Sequence, residues 1–278
     1  MSEGDMGTYE ALQREFDLRY RPKAGDESFY RLDIVYRTLE ELGTYSAREG
    51  NRGDFKRVVG SVDDAGAVRE TITWNNVCRR EAKGDEPFSP WEHLTWADGF
   101  EYPFSAEEPY DKFHWNYESF PRDQIGWFVL LLTVDAHFEF DYLRSTRHGA
   151  IERLRRIGDR VVSPDSNEPF WLGLPPIVDV PAFNKQNLRT TFEGLTTRNG
   201  HDCALLRFEM DRSPFEMVFG EERVKASSTF EGTLTVRLAD GSLEHGEFLE
   251  YVFQSVGTVS PIYEITRIDE ASYTKGYD

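Results

Sequence analysis

The sequence predicts an α+β fold, a curved antiparallel sheet of half-barrel form wrapped around one central buried helix. Three observations predict it. Apolar and polar residues alternate in segments on both sides of the chain's middle, hairpin turn signals join those segments, and one apolar stripe at helical spacing lies between them. Strands, then helix, then strands lacks the regular β-α alternation of a parallel sheet, so antiparallel pairing follows. The same elements allow one alternative, two β-rich subdomains joined by a helical segment.

Tyr30, Leu32, Ile34 and Tyr36 alternate with Arg31, Asp33 and Arg37, the period of two of a half-buried strand. A second strand near Phe55 to Val62 runs into Asp63-Asp64-Ala65-Gly66, and a third alternates through Val68, Ile72 and Trp74, which makes a hairpin. In the second half a strand from Leu188 to Leu195 meets Arg198-Asn199-Gly200, and the return strand carries Ala204, Leu206, Phe208 and Met210 on one face. Phe230 to Leu238, the turn Asp240-Gly241, Leu243 to Phe253 and Ile262 to Ile268 continue as an antiparallel meander. No fixed-period repeat accompanies the likeness of the halves, which argues against a solenoid or propeller.

Between them Ile125, Phe128, Val129, Leu132, Ala136, Phe140 and Leu143 recur at helical steps, with Pro121 and Asp123 suited to the first turn. Charges hardly interrupt Ile125 to Val134, so this helix is expected in the core. Ser145 is placed to cap a second, shorter helix through Ile151, Leu154 and Ile157, ended by Gly158. Prolines at 164, 169, 175, 176 and 181 make the next crossing irregular. The reading divides the chain into an N-terminal β region (1–120), a helical segment (121–160) and a C-terminal meander (161–278), packed as one body.

Charge narrows the function classes. With 32 Lys and Arg against 50 Asp and Glu, the formal charge of -18 repels a nucleic-acid backbone and an anionic membrane alike. The Ile125–Val134 run is about half of the ~20 residues that span a bilayer. The opening residues show no secretory pattern, so a cytoplasmic protein is the expectation, a mature secreted fragment being the alternative. Cys78 and Cys203 belong to no metal or redox spacing and read as two buried thiols. No Gly-rich phosphate loop, dinucleotide fingerprint or GxSxG elbow occurs, so no cofactor is indicated.

Three clusters remain as candidate sites. From Phe88 to Phe128, 13 of 41 residues are aromatic, among them Trp91, Trp96, Trp115 and Trp127; these either line a ligand cavity or pin a proline-rich connection to the body. Asp135, His137, Glu139 and Asp141 crowd one helix segment, but only residues four apart share a face. His137 with Asp141 is therefore the pair fit for acid-base work, with His114 or His148 as helpers, and a surface ion pair is the structural reading. Six arginines between Arg144 and Arg160 offer a clamp for a carboxylate or phosphate, Arg144 and Arg147 foremost, or simply a solvated helix face.

The expected function is binding of a small hydrophobic or amphiphilic molecule in an aromatic-lined cavity between sheet and helix. An enzyme using His137 and Asp141 in that cavity is the first alternative, and a protein-protein interaction module presenting the aromatic segment is the second.

Overall fold

The computed structural model describes residues 13–39, 45–64, 67–106, 137, 140–141, 143–145, 150–162, 188–219, 222–254 and 257–276. Among the described residues strand accounts for 63% and helix for 9%, so the fold is a large antiparallel β-sheet and not α+β around a central helix. The strands, in chain order, are β1 (Glu27–Leu39), β2 (Tyr45–Val62), β3 (Val68–Lys83), β4 (Glu92–His93), β5 (Phe100–Phe104) and β6 (Arg160–Val162). They continue as β7 (Leu188–Arg198), β8 (His201–Phe219), β9 (Glu222–Arg237), β10 (Leu243–Gln254), β11 (Gly257–Val259) and β12 (Ile262–Ile268).

All twelve belong to one sheet, in the order β4-β3-β2-β1-β11-β10-β9-β8-β7-β6. Strand β5 shares the β4 lane beside β3, and β12 shares the β11 lane between β1 and β10. That last lane decides the architecture. Leu32 pairs with Ile265 on one side of β12 while Gly246 pairs with Ile265 on the other, so the C-terminal strand joins the N-terminal hairpins to the later meander. A single sheet thus replaces the alternative of two β subdomains.

The strands form where the alternation predicts them, but longer. β2 begins ten residues before Phe55, through Arg48, Asn51 and Asp54, because pairing with β1 and β3 on both sides satisfies its backbone despite the polar sequence. The Asn199-Gly200 turn has both central residues at positive φ, 50° and 77°, as a two-residue hairpin between Arg198 and His201 requires.

Ten lanes at ~4.8 Å would make a flat sheet roughly 45 Å across, yet the inward residues of β1 to β3 and of β7 to β10 belong to one buried cluster. The sheet is therefore strongly curved. Tyr30 of β1 donates across the β12 lane to the Leu243 carbonyl of β10 at 3.0 Å, and Phe140 lies 5.1 Å from the Phe248 ring.

The expected long helix falls largely outside the described residues; His137, Phe140, Asp141 and Leu143 are helical and buried. The second helix does not form. Ala150 takes a left-handed φ of 51°, and only a 3₁₀ turn follows at Ile151–Arg153, with Ile151 and Leu154 buried. Gly158 serves β7 instead, its N–H donating to the Phe192 carbonyl at 2.7 Å. A short helix at Glu270–Lys275, capped by the Asp269 carboxylate on the Ser272 N–H, ends the described chain. The proline-rich crossing lies outside the described residues, and Cys78 and Cys203 are free and buried as expected.

Gly232 marks the closest approach within the curve. A Cβ there would stand 2.2 Å from the Glu247 carbonyl oxygen and 2.7 Å from the Phe208 ring. Gly232→Ala is expected to cost about 2–3 kcal/mol through overpacking, read as a lowered urea midpoint with unchanged slope.

Candidate functional site

Along β2 the inward series runs Phe55, Arg57, Val59, and along β3 it runs Val68, Glu70, Ile72, Trp74. A cation and a carboxylate thus occupy positions that the alternation reserves for the core. Both are buried, and the chain supplies partners for them. Arg57 donates through Nη2 and Nη1 to the two Asp141 oxygens at 2.6 and 3.2 Å, and its Nη2 lies 3.0 Å from Glu70 Oε2. Arg144 donates through Nε to Asp141 at 2.6 Å and stacks 4.3 Å over the Tyr20 ring. Tyr20 in turn donates its hydroxyl to Glu70 at 3.0 Å.

His137 completes the cluster. Its Nε2 is 2.9 Å from Asp141 Oδ2, and the Tyr102 hydroxyl, which accepts from Trp74 Nε1 at 3.1 Å, is 3.3 Å from Nδ1. The rings of Phe55 and Phe104 close on it at 4.6 and 4.9 Å. The helical spacing of four does bring His137 to Asp141, but inside the core, with neither side chain more than 1% exposed.

Two cations and two carboxylates meet there, and their titration follows. Burial works to raise the Asp141 carboxyl, but the Arg144 and Arg57 guanidiniums outweigh it and hold it well below the usual range. Burial pushes His137 down to about 4, against the pull of Asp141. Burial also raises Glu70, despite Arg57 beside it. An arginine whose charge is already matched in this way has no valence left for a ligand head group. Proton transfer needs the base within ~3 Å of a substrate atom, and no solvent reaches His137.

The remaining candidates separate. Trp96 is half-buried against the core, whereas Trp91 lies on the outer face of β2 and β3, 4.1 Å from the Arg80 guanidinium. His114, Trp115, Trp127, Arg147 and His148 lie outside the described residues. Arg155 and Arg156 are exposed, and Arg156 pairs with Glu15 at 2.5 Å, the solvated arrangement weighed above.

A groove of about 870 Å³ opens on the concave side where β1 to β3 end, a feature that the sequence did not single out. Tyr36 and Thr38 of β1, Ala47 and Glu49 of β2, and Glu81 of β3 share its floor by register, and Ser89 and Pro90 of the returning loop form its wall. Tyr36 is the end of an aromatic row: it meets Tyr263 edge-on at 6.1 Å, Tyr263 stacks on Phe248 at 4.2 Å, and Phe248 touches Phe208 and Phe230. Arg79 at the rim is bound to Glu92 at 2.7 Å and lies 3.8 Å from Glu81, which faces Glu49 across the strands. Burial raises the Glu49 carboxyl, and Glu81 adds to the effect.

Among the described residues no three potential metal ligands cluster, and no helix is long and apolar enough to cross a membrane. A shallower depression of about 410 Å³ on the outer face has its charges matched, Arg207 standing 3.8 Å from Glu193 and 3.7 Å from Glu231.

No protein-family model and no curated protein matches the sequence. A solved structure described as lipid-protein interactions in lipovitellin aligns with 89% of this chain at 10% identity and a TM-score of 0.45, the chain spanning a quarter of that protein. A protein with a YmcC-like fold from Bacteroides fragilis aligns with 90% of the chain and all of its own, at 7% identity and a TM-score of 0.24. A DUF1329 family protein from Desulfovibrio piger aligns over 90% of both chains at 8% identity, with a TM-score of 0.12. At these scores the alignments establish no shared ligand.

His137 makes acid sensitivity measurable. Its folded value is depressed, so the unfolded chain binds the extra proton first, and its contribution is intact above the unfolded value of 6.5. That contribution falls by about 3 kcal/mol as the pH drops from 6.5 to about 4, at 1.36 kcal/mol per unit. Glu70 acts in the opposite sense, so the comparison is of wild type with His137→Gln: the difference in urea-unfolding free energy between pH 7 and pH 4 is expected to shrink in the variant. Asp141→Asn, which strands two guanidiniums, is expected to cost about 3–5 kcal/mol at pH 7 in the same assay.

Proposed function

We propose that this chain binds a small hydrophobic or amphiphilic molecule in the groove at the Tyr36 end of the concave face. Its volume of about 870 Å³ falls in the range of ~300–1,000 Å³ usual for small-ligand pockets. The observation that carries the reading is the continuity of Tyr36, on the groove floor, with Tyr263 and Phe248 behind it. An apolar tail laid on Tyr36 meets an aromatic wall already held rigid by the sheet, so little side-chain entropy is lost on binding.

The rim carries charges of both signs. Glu49 and Glu81 oppose each other in register, and like charges at that spacing repel unless something lies between them. Arg79 lies between Glu92 at 2.7 Å and Glu81 at 3.8 Å, and Arg48, Arg80 and Lys83 also line the groove. With four basic and four acidic side chains in its lining, the groove suits an uncharged head or one of either sign. Of the two arginines expected to clamp an acidic head, Arg144 is taken by Asp141 and Arg147 lies outside the described residues. Where side chains are described, the space between His137–Leu143 and the sheet is filled, so the ligand site is placed at the open end instead.

No reaction is assigned, because His137 and Asp141 are sealed from solvent. Nor do Trp91 and Trp96 form an exposed apolar patch for a partner, both being packed on neighbours.

Isothermal titration with dodecylamine, dodecan-1-ol and dodecanoate, each below its aggregation limit, tests the reading. At least one of the three should saturate at one per chain. Tyr36→Ala should weaken that binding by roughly three- to tenfold, the loss of one aromatic contact. Absence of saturable binding by all three would remove the proposal.

A further inference from the structure

The opposite face of the same strands carries a different chemistry. Alternation places Arg48, Gly50 and Arg52 of β2 beside Ala82, Arg80 and Cys78 of β3, on the face opposite Glu49 and Glu81, with Arg48, Arg80 and Ala82 reaching the edge of the groove. The segment after β3 folds back along this face, held by Ser89, whose N–H donates to the Glu81 carbonyl at 2.8 Å and whose hydroxyl accepts from the Glu81 N–H at 3.0 Å. It brings two rings onto Arg80, Phe88 at 4.3 Å and Trp91 at 4.1 Å from the guanidinium carbon. The rings do not touch each other, so they cover its two faces. Arg48 lies 4.9 Å beyond Phe88 and Arg52 4.8 Å beyond Trp91, giving the ladder Arg48, Phe88, Arg80, Trp91, Arg52.

The outer cations of this ladder are satisfied. Arg52 is paired with Asp33, and Arg48 donates to the carbonyls of Gly84, at 3.0 Å, and Glu86. Arg80 differs. Its Nε is buried without a hydrogen-bond partner against Gly50, where a Cβ would stand 2.9 Å away, and among the described residues no carboxylate pairs with its terminal nitrogens. A guanidinium stacked on both faces and buried at Nε can bond only through its outer edge. That edge presents two parallel N–H groups, the geometry that receives a carboxylate or a phosphate in a planar, two-pronged contact. The stacking has already fixed the side chain, so binding there costs little further ordering.

We propose that Arg80, held between Phe88 and Trp91 and flanked by Arg48 and Arg52, is an oxyanion-binding site on the outer face of the sheet. Its ligand is a carboxylate or phosphate group, read edge-on. The site borders the groove, whose lining includes Arg48 and Arg80 beside Glu49 and Glu81, although alternation sets the guanidiniums and the two carboxylates on opposite faces of the strands. It gives this acidic protein one place where an anion is attracted.

The test is a side-chain NMR titration of the arginine guanidinium signals in the full chain, at constant ionic strength, with inorganic phosphate in one arm and acetate in the other. The Arg80 signals should shift saturably, with a dissociation constant of about 10 mM or tighter for at least one anion. The exposed Arg207, already between two carboxylates, should shift only weakly and linearly. Saturation by phosphate alone assigns a phosphate-bearing ligand, and saturation by acetate a carboxylate; either supports the site. Arg80→Lys keeps the charge and loses the fork, so it should weaken the winning anion roughly tenfold. Arg80 signals that move no more than those of Arg207 would overturn the proposal, and so would an Arg80→Lys variant that binds as well as wild type. The wild-type titration stands alone if that variant fails to fold.

Discussion

Asp141 holds together parts of the chain that are far apart in sequence. Its two oxygens accept from Arg57 on β2 and from Arg144 one turn along, and they lie beside His137 in the same helical segment. Through Arg57 the tie extends to Glu70 on β3, and through Tyr20 to the strap that precedes β1. A buried carboxylate between two guanidiniums is tolerable only when every charge is matched, since each unmatched ion costs several kcal/mol. The cluster therefore fixes where the helical segment sits, and its position closes one end of the curved sheet while, among the described residues, the groove opens at the other.

Closure of one end gives the concave face a direction. Around His137 the rings of Phe55, Trp74 and Phe104 leave no space, and the aromatic row from Phe208 through Phe248 and Tyr263 leads away from it to Tyr36 at the groove. Rigidity at the sealed end and room at the other are consequences of the same packing. Curvature requires close backbone approach inside the bend, which Gly232 permits, and antiparallel pairing along β12 makes the bend continuous.

The two faces of the β2–β3 hairpin divide the chemistry between them. Period-two alternation sends Glu49 and Glu81 to the concave side and Arg48, Arg52 and Arg80 to the outer side, and at the ribbon's edge Arg48 and Arg80 join the two carboxylates in the lining of the groove. The loop from Lys83 to Trp91 serves both, with Ser89 and Pro90 walling the groove and Phe88 and Trp91 stacking on the arginines. The aromatic richness of this stretch is thereby explained in part as anchoring, by cation–π contact rather than by burial in a core.

Local chemistry was readable from the sequence alone. Alternation in Tyr30–Tyr36 and Leu188–Leu195, the Asn199-Gly200 turn and the four-residue spacing of His137 and Asp141 all depend on neighbours along the chain, and each contact they imply is present. Arg57 and Glu70 were visible too, as charges at inward positions of otherwise apolar series, though nothing nearby in sequence named their partners. Only the tertiary structure decided what depends on distant pairing: that β12 joins both halves into one sheet, that the helical stripe is subordinate to that sheet, and that His137 is sealed. It also decided that Arg144 is spent on Asp141 while Arg80 is left with a free edge, because the counter-charge of a cation is set by what folds against it and not by the residues beside it in the chain.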